Sequence, residues 1–159
     1  MISYGKLQSG KNLTPFSVTA TDFKATYELV TGSPSDYKLS VNIANPVGTK
    51  EEPRIVKVNS PLTFGNTKVY LQANGYSPLV TVRDKAGEIK YQGAVIFLPQ
   101  DGNLTSIGAI KVPDMQPQIG FVGSFVPTYA RTPERGSFSS YPEVLDPRLL
   151  VSIWTGDLG

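Results

Sequence analysis

Few residues in this chain could do chemistry, and each nominal motif has a defect. Gly5-Lys6-Leu7-Gln8-Ser9-Gly10-Lys11 carries the glycine and lysine spacing of a phosphate-binding loop. Such a loop continues with a Ser or Thr whose hydroxyl holds magnesium, and then with a helix. Here Asn12 takes that place, Pro15 obstructs a helix and no apolar strand leads in. The stretch reads instead as a flexible N-terminal segment over residues 1–12. Ser35-Asp36-Tyr37-Lys38 has the Ser-x-x-Lys spacing of penicillin-recognising enzymes, whose chemistry needs both side chains on one helical face. At the start of an alternating strand, residues three apart point to opposite faces. Among the 13 Asp and Glu residues, Glu51 and Glu52 are adjacent beside Lys50, which a solvated turn explains. A glycosidase pair would need distant carboxylates to meet in space, and nothing in the residue order favours one. The sequons at Asn12 and Asn103 matter only in a eukaryotic secretory pathway.

What the chain lacks narrows its function further. It has no cysteine and no histidine. Disulfides, zinc ribbons and thiol catalysis are excluded by the first absence. The Ser-His-Asp triad, the HExxH zinc site and the usual proximal haem ligand are excluded by the second. A net charge of +2 with scattered Lys and Arg leaves no electrostatic footprint for nucleic acid. The central apolar run Ala94-Val95-Ile96-Phe97-Leu98 is far short of the ~20 residues that span a bilayer. No charged n-region followed by an apolar h-region opens the chain.

The elements that must position any site are strands. Tyr37, Leu39, Val41 and Ile43 alternate with Lys38, Ser40 and Asn42, and Phe23, Ala25, Tyr27 and Leu29 alternate with Lys24, Thr26 and Glu28. This period of two marks half-buried strands. Upstream, Phe16, Val18 and Ala20 alternate on even numbers, so the phase flips near Asp22 and predicts a bulge or bend. Further strands are expected at 56–58, 69–73, 79–83, 88–92, 94–98, 110–112, 119–125 and 149–154, separated by Gly, Pro, Asn and Asp turns. The clearest hairpin turns on Asp84-Lys85-Ala86-Gly87, with Asp first and Gly fourth as in a type I turn followed by a glycine bulge. No window longer than ten residues keeps helical spacing, so the fold class is all-β: an antiparallel sandwich or partly open barrel. The four prolines between Pro127 and Pro147 predict a long ordered loop, and one domain of 159 residues accounts for the whole. Alternation puts most aromatics in the core. Tyr76 is different, since it sits between Asn74-Gly75 and Pro78 as either a core cap or a contact residue, while Trp154 is expected to pack.

A series of short stretches is more specific than generic β-structure. Lys57-Val58-Asn59-Ser60-Pro61-Leu62 precedes Gly65-Asn66-Thr67-Lys68-Val69-Tyr70-Leu71 and Asn74-Gly75-Tyr76-Ser77-Pro78. Val80-Thr81-Val82-Arg83-Asp84, Phe97-Leu98-Pro99-Gln100-Asp101 and Ile110-Lys111-Val112-Pro113-Asp114 follow. Pro117-Gln118-Ile119-Gly120, Phe125-Val126-Pro127-Thr128, Asp146-Pro147-Arg148-Leu149-Leu150 and Thr155-Gly156-Asp157-Leu158-Gly159 close it. In this order the series resembles the extracytoplasmic region of the ResB family, particularly its actinobacterial members, over residues 13–159.

The resemblance implies a β domain excised from a polytopic membrane protein of the system II cytochrome c maturation pathway, lying on the extracytoplasmic side of the cell membrane. The expected partners are a ResC-type haem-handling membrane protein and apocytochrome c, with haem as the cargo of the full complex and no cofactor held tightly by this domain. The end at Gly159, after an apolar strand, is expected to precede a last membrane helix. The histidines that handle haem in this system have no counterpart here, so no catalytic or metal-ligating residue is assigned and the domain is read as non-enzymatic. Its expected role is docking and scaffolding for thioether ligation, the alternative being a transient haem chaperone without a His ligand. Contact is expected on turns and long loops, at Asn59, Pro61, Asn74, Tyr76, Pro78, Pro127 and Tyr129.

Overall fold

A computed structural model describes residues 15–156. The Gly5–Lys11 run, the 1–12 segment and the Asn12 sequon lie outside them. Among the described residues there is no helix. The antiparallel all-β class holds, and no sheet of the described residues closes into a barrel. The chain gathers into two compact units, one of residues up to Thr26 with Pro34–Gln72, the other of Tyr27–Ser33 with residues from Ala73 onward.

The first unit contains β1 (Ser17–Tyr27, its last residue counted with the second unit), β2 (Pro34–Ala44), β3 (Glu52–Lys57), β4 (Leu62–Phe64) and β5 (Thr67–Val69). β1, β2 and β3 form one sheet in that order, and β4 pairs with β5. The alternation of β2 sends Leu39, Val41 and Ile43 to one face, where Val41, Ile43 and Val56 form a buried core. Val18, Leu62, Phe64 and Leu71 pack on it, and Phe16 stacks on Phe64 at 4.2 Å between centroids. Full burial of each such side chain contributes about 1.5–3 kcal/mol.

The second unit holds the hairpin of β6 (Leu79–Arg83) and β7 (Ile89–Ala94), then β8 (Leu98–Pro99), β9 (Ser106–Val112), β10 (Ile119–Val126), the hairpin of β11 (Tyr129–Thr132) and β12 (Gly136–Ser139), and β13 (Arg148–Thr155). Four of these make an antiparallel sheet in the order β13-β10-β9-β8. Its inner face buries Ile110, Val112 and Phe125 with Val95 and Phe97, and Val80, Val82 and Tyr91 pack onto them. The β6–β7 turn follows the sequence expectation. The Gly87 amide donates to the Asp84 carbonyl, Gly87 takes φ +86° and the register shifts at Val82/Arg83.

Several expectations change. The 127–147 segment is not one loop, because β11 and β12 pair within it. Their four-residue strands are too short to show a period. Residues 95–97 lie outside any strand, although the Val95 and Phe97 amides donate to the Pro78 and Tyr76 carbonyls. Leu29 is 89% exposed in a turn rather than core-facing. Val58 also falls in a turn. Trp154 does not pack; it is 60% exposed.

Candidate docking surface

Of the residues expected to make contact, Asn59 and Pro61 belong to the first unit. Asn59 is exposed in a turn with φ +63°, and Pro61 is half-buried beside a cleft of about 640 Å³ lined by Lys50, Glu52 and Arg54. Glu52 is paired with Arg54 at 2.7 Å. Ser35 and Lys38 have separate partners, the Thr26 carbonyl and Asp36.

The other five residues belong to the second unit, where hydrogen bonds tie Tyr76, Pro127 and Tyr129 to the segment before β13. The Asn74 amide donates to the Tyr27 hydroxyl at 2.8 Å. The Tyr76 hydroxyl donates to the Pro142 carbonyl at 2.7 Å, and its ring meets Phe125 edge-on at 5.5 Å. Thr128 Oγ1 donates to the Glu143 carbonyl, the Asp146 amide to the Pro127 carbonyl, and the Tyr129 amide to the Asp146 carbonyl. Buried Ser139 secures the same segment, accepting from the Thr128 amide and donating to the Tyr141 carbonyl. Pro127 is fully buried and has no side-chain surface to offer. Pro78 is half-buried. Tyr129 lies under the Arg148 guanidinium at 4.3 Å, and Arg148 in turn pairs with Asp146.

Tyr76 is therefore a cap on the core whose polar end is satisfied. Burial, followed by the nearby Tyr27 and Glu143, pushes its phenol up to about 12. Tyr141, which donates to the Glu28 carbonyl and meets Tyr27 edge-on, is raised for the same reasons, burial first and then Glu143 and Tyr27. Both hydroxyls are protonated donors at neutral pH, engaged by the Pro142 and Glu28 carbonyls.

The outer face of the four-stranded sheet is different. The register stacks Leu98, Ile107, Ser124 and Leu150 in one row, Ala109, Val122 and Ser152 in the next, and Lys111, Gly120 and Trp154 in a third. Leu98, Ile107, Val122 and Trp154 are 49–62% exposed. Lys111 is the one charged residue in these rows, and no carboxylate stands in them. A contiguous exposed apolar face bordered by polar groups is the signature of an interaction site. The sequence reading places contact on turns and does not single out these strand residues. A signal was present: Leu149-Leu150-Val151 and Ile153-Trp154 are apolar on consecutive positions, a pattern suited to a strand covered on both faces.

Among the described residues no group of three or more carboxylates could hold a metal ion, and no helix is long and apolar enough to cross a membrane. Compared with known proteins, the model of the ResB-like family matches residues 2–159. Neither a curated protein nor a solved structure matches.

Proposed function

This chain belongs to the ResB-like family, which serves cytochrome c biogenesis and is membrane-associated, and on that premise we propose that it is the docking and scaffolding domain of a haem-ligation complex. The observation that carries the reading is the uncovered apolar face of Leu98, Ile107, Val122 and Trp154. On the extracytoplasmic side of the membrane this face would engage a ResC-type partner or apocytochrome c. It would hold them while the thioether bonds form elsewhere in the complex. The domain itself supplies no catalytic group: Ser35, Lys38 and Glu52 are engaged by the Thr26 carbonyl, Asp36 and Arg54. Haem is the cargo of the assembly, not a resident group of this chain.

The test is substitution on the face in the full-length protein. Ile107→Glu and Val122→Lys place charge on exposed positions, which leaves folding stability within about 0.5 kcal/mol. Holocytochrome c yield, read by haem staining, falls in both variants if the face docks a partner. Normal yield in both, with the protein present at parental abundance, refutes the reading.

A further inference from the structure

β13 stands at the end of its sheet, so one of its edges has no neighbouring strand among the described residues. The Gly156 amide donates to the Gln118 carbonyl at 3.1 Å, in step with the Ile119↔Thr155 register. Backbone groups of alternate residues point to the same side of a strand. Even-numbered residues of β13 therefore bond to β10, and Leu149, Val151 and Ile153 aim their N–H and C=O groups outward. The side chains of these three stand on the inner face, in register with Phe125, Gly123 and Phe121. They are 37%, 38% and 65% exposed.

Proteins ordinarily blunt such an edge with Lys, Pro, a bulge or a covering element. Residues Arg148–Thr155 contain no Lys and no Pro, and their register with β10 runs without a shift. Beside the edge lies an open groove of about 270 Å³, lined by Val80, Val82, Phe121, Leu149 and Val151 with Arg83. Arg83 donates to the Gly87 carbonyl at 2.9 Å and forms no ion pair among the described residues. The site thus combines a row of outward backbone donors and acceptors, an apolar wall and a cation.

We propose that β13 binds an extended peptide segment of a partner protein by strand addition, the segment turning apolar side chains into the groove and a carboxylate toward Arg83. Backbone pairing supplies affinity in this mode, and the pockets for alternate side chains supply specificity. Charge complementarity selects such a partner over a second copy of this chain. β13 carries an arginine and no carboxylate, so two copies joined through this edge bring no anion to Arg83. The site is separate from the outer face, which uses the even-numbered side chains of the same strand.

The experiment is fluorescence anisotropy on the 159-residue chain with a labelled nonapeptide alternating valine and threonine around one glutamate. Saturable binding is expected. A twin N-methylated at its pairing amides should bind more than about tenfold more weakly, having lost several hydrogen bonds. A twin with lysine for glutamate should bind about fivefold more weakly, and Arg83→Glu should reverse that preference. Val151→Pro removes an outward N–H, which an edge strand tolerates, and Ile153→Lys puts a charge at the edge; both should abolish binding. Val122→Lys, on the outer face, should leave it unchanged. No binding by the parent chain, equal binding of the N-methylated twin, or undiminished binding by both edge variants overturns the proposal. A dimer of the chain alone that Val151→Pro dissociates also overturns it, by giving the edge to a second copy. Should Val151→Pro not fold, the N-methylated peptide and Arg83→Glu decide without touching β13.

Discussion

Tyr76→Phe removes a single oxygen atom and separates two roles for this residue. If Tyr76 caps the core, the lost hydroxyl breaks its 2.7 Å bond to the Pro142 carbonyl, next to a proline side chain that is fully buried. A neutral hydrogen bond contributes about 0.5–1.5 kcal/mol net, and an acceptor left dry costs about 1–3 kcal/mol. Because Tyr76 is only half-buried, water reaches part of the site and the lower values apply, giving a loss of about 1–2 kcal/mol. Tyr76→Ala also removes the ring that meets Phe125 at 5.5 Å. Full truncation of a buried aromatic costs about 3–5 kcal/mol; half-burial reduces this to about 2–4 kcal/mol. Urea unfolding followed by far-UV circular dichroism measures both, with an unchanged slope showing that the same surface is exposed. Stability of the Phe variant within about 0.3 kcal/mol of the parent, together with a neutral Ala variant, would refute the cap. Tyr76 would then return to the list of partner contacts.

Three further outcomes follow from particular residues. The phenol of Tyr76 is raised by burial to about 12, above its unfolded value near 10, so its contribution is complete below pH 10 and is lost as pH rises toward 12. Ultraviolet titration should show a late-ionising tyrosine that disappears in Tyr76→Phe. At Gly123 an added Cβ would stand 2.8 Å from the Val151 Cα and closer still to the Leu150 carbonyl oxygen; since backbone cannot yield as a side chain does, Gly123→Ala should cost about 3 kcal/mol or more and deprotect β13 amides in hydrogen exchange. Titration with ferric or ferrous haem should give no saturable, shifted Soret band, because the apolar grooves beside Arg83 and Tyr76 are open and hold about 270 and 290 Å³, and the cleft of about 640 Å³ is lined by the charged Lys50, Glu52 and Arg54. A band with micromolar affinity would move haem handling into this chain.

Much of the fold is legible in the order of residues, for reasons specific to each element. β2 is read from the alternation of Tyr37, Leu39, Val41 and Ile43 because only one of its faces meets the core. The β6–β7 hairpin is read from Asp84 and Gly87, since the Asp84 carboxylate accepts from the Ala86 and Glu88 amides and the φ of Gly87 is one L side chains rarely adopt. β1 runs unbroken over Ser17–Tyr27; Val18 packs in the first unit's core, while Tyr27, at the end of the same strand, is buried in the second. The division into two units was not legible, because the second takes Tyr27–Ser33 from between β1 and β2 without any change of composition. The β11–β12 hairpin was hidden by its short strands and by residues such as Arg131 and Arg135 among the prolines. The exposed apolar face was not legible for a different reason. Apolar strand residues signal burial, and no residue pattern states whether this chain or a partner provides the cover.

Whether the outer sheet face meets a partner protein can be read by site-specific photo-crosslinking. A benzophenone amino acid would replace Val122 on the exposed face, or Lys85 at the tip of the β6–β7 turn, in the full-length protein in its native membrane. Position 122 should crosslink to the ResC-type protein or to apocytochrome c, identified by mass spectrometry, and position 85 should not. Absence of either product from position 122, or equal yields from both positions, would contradict such contact.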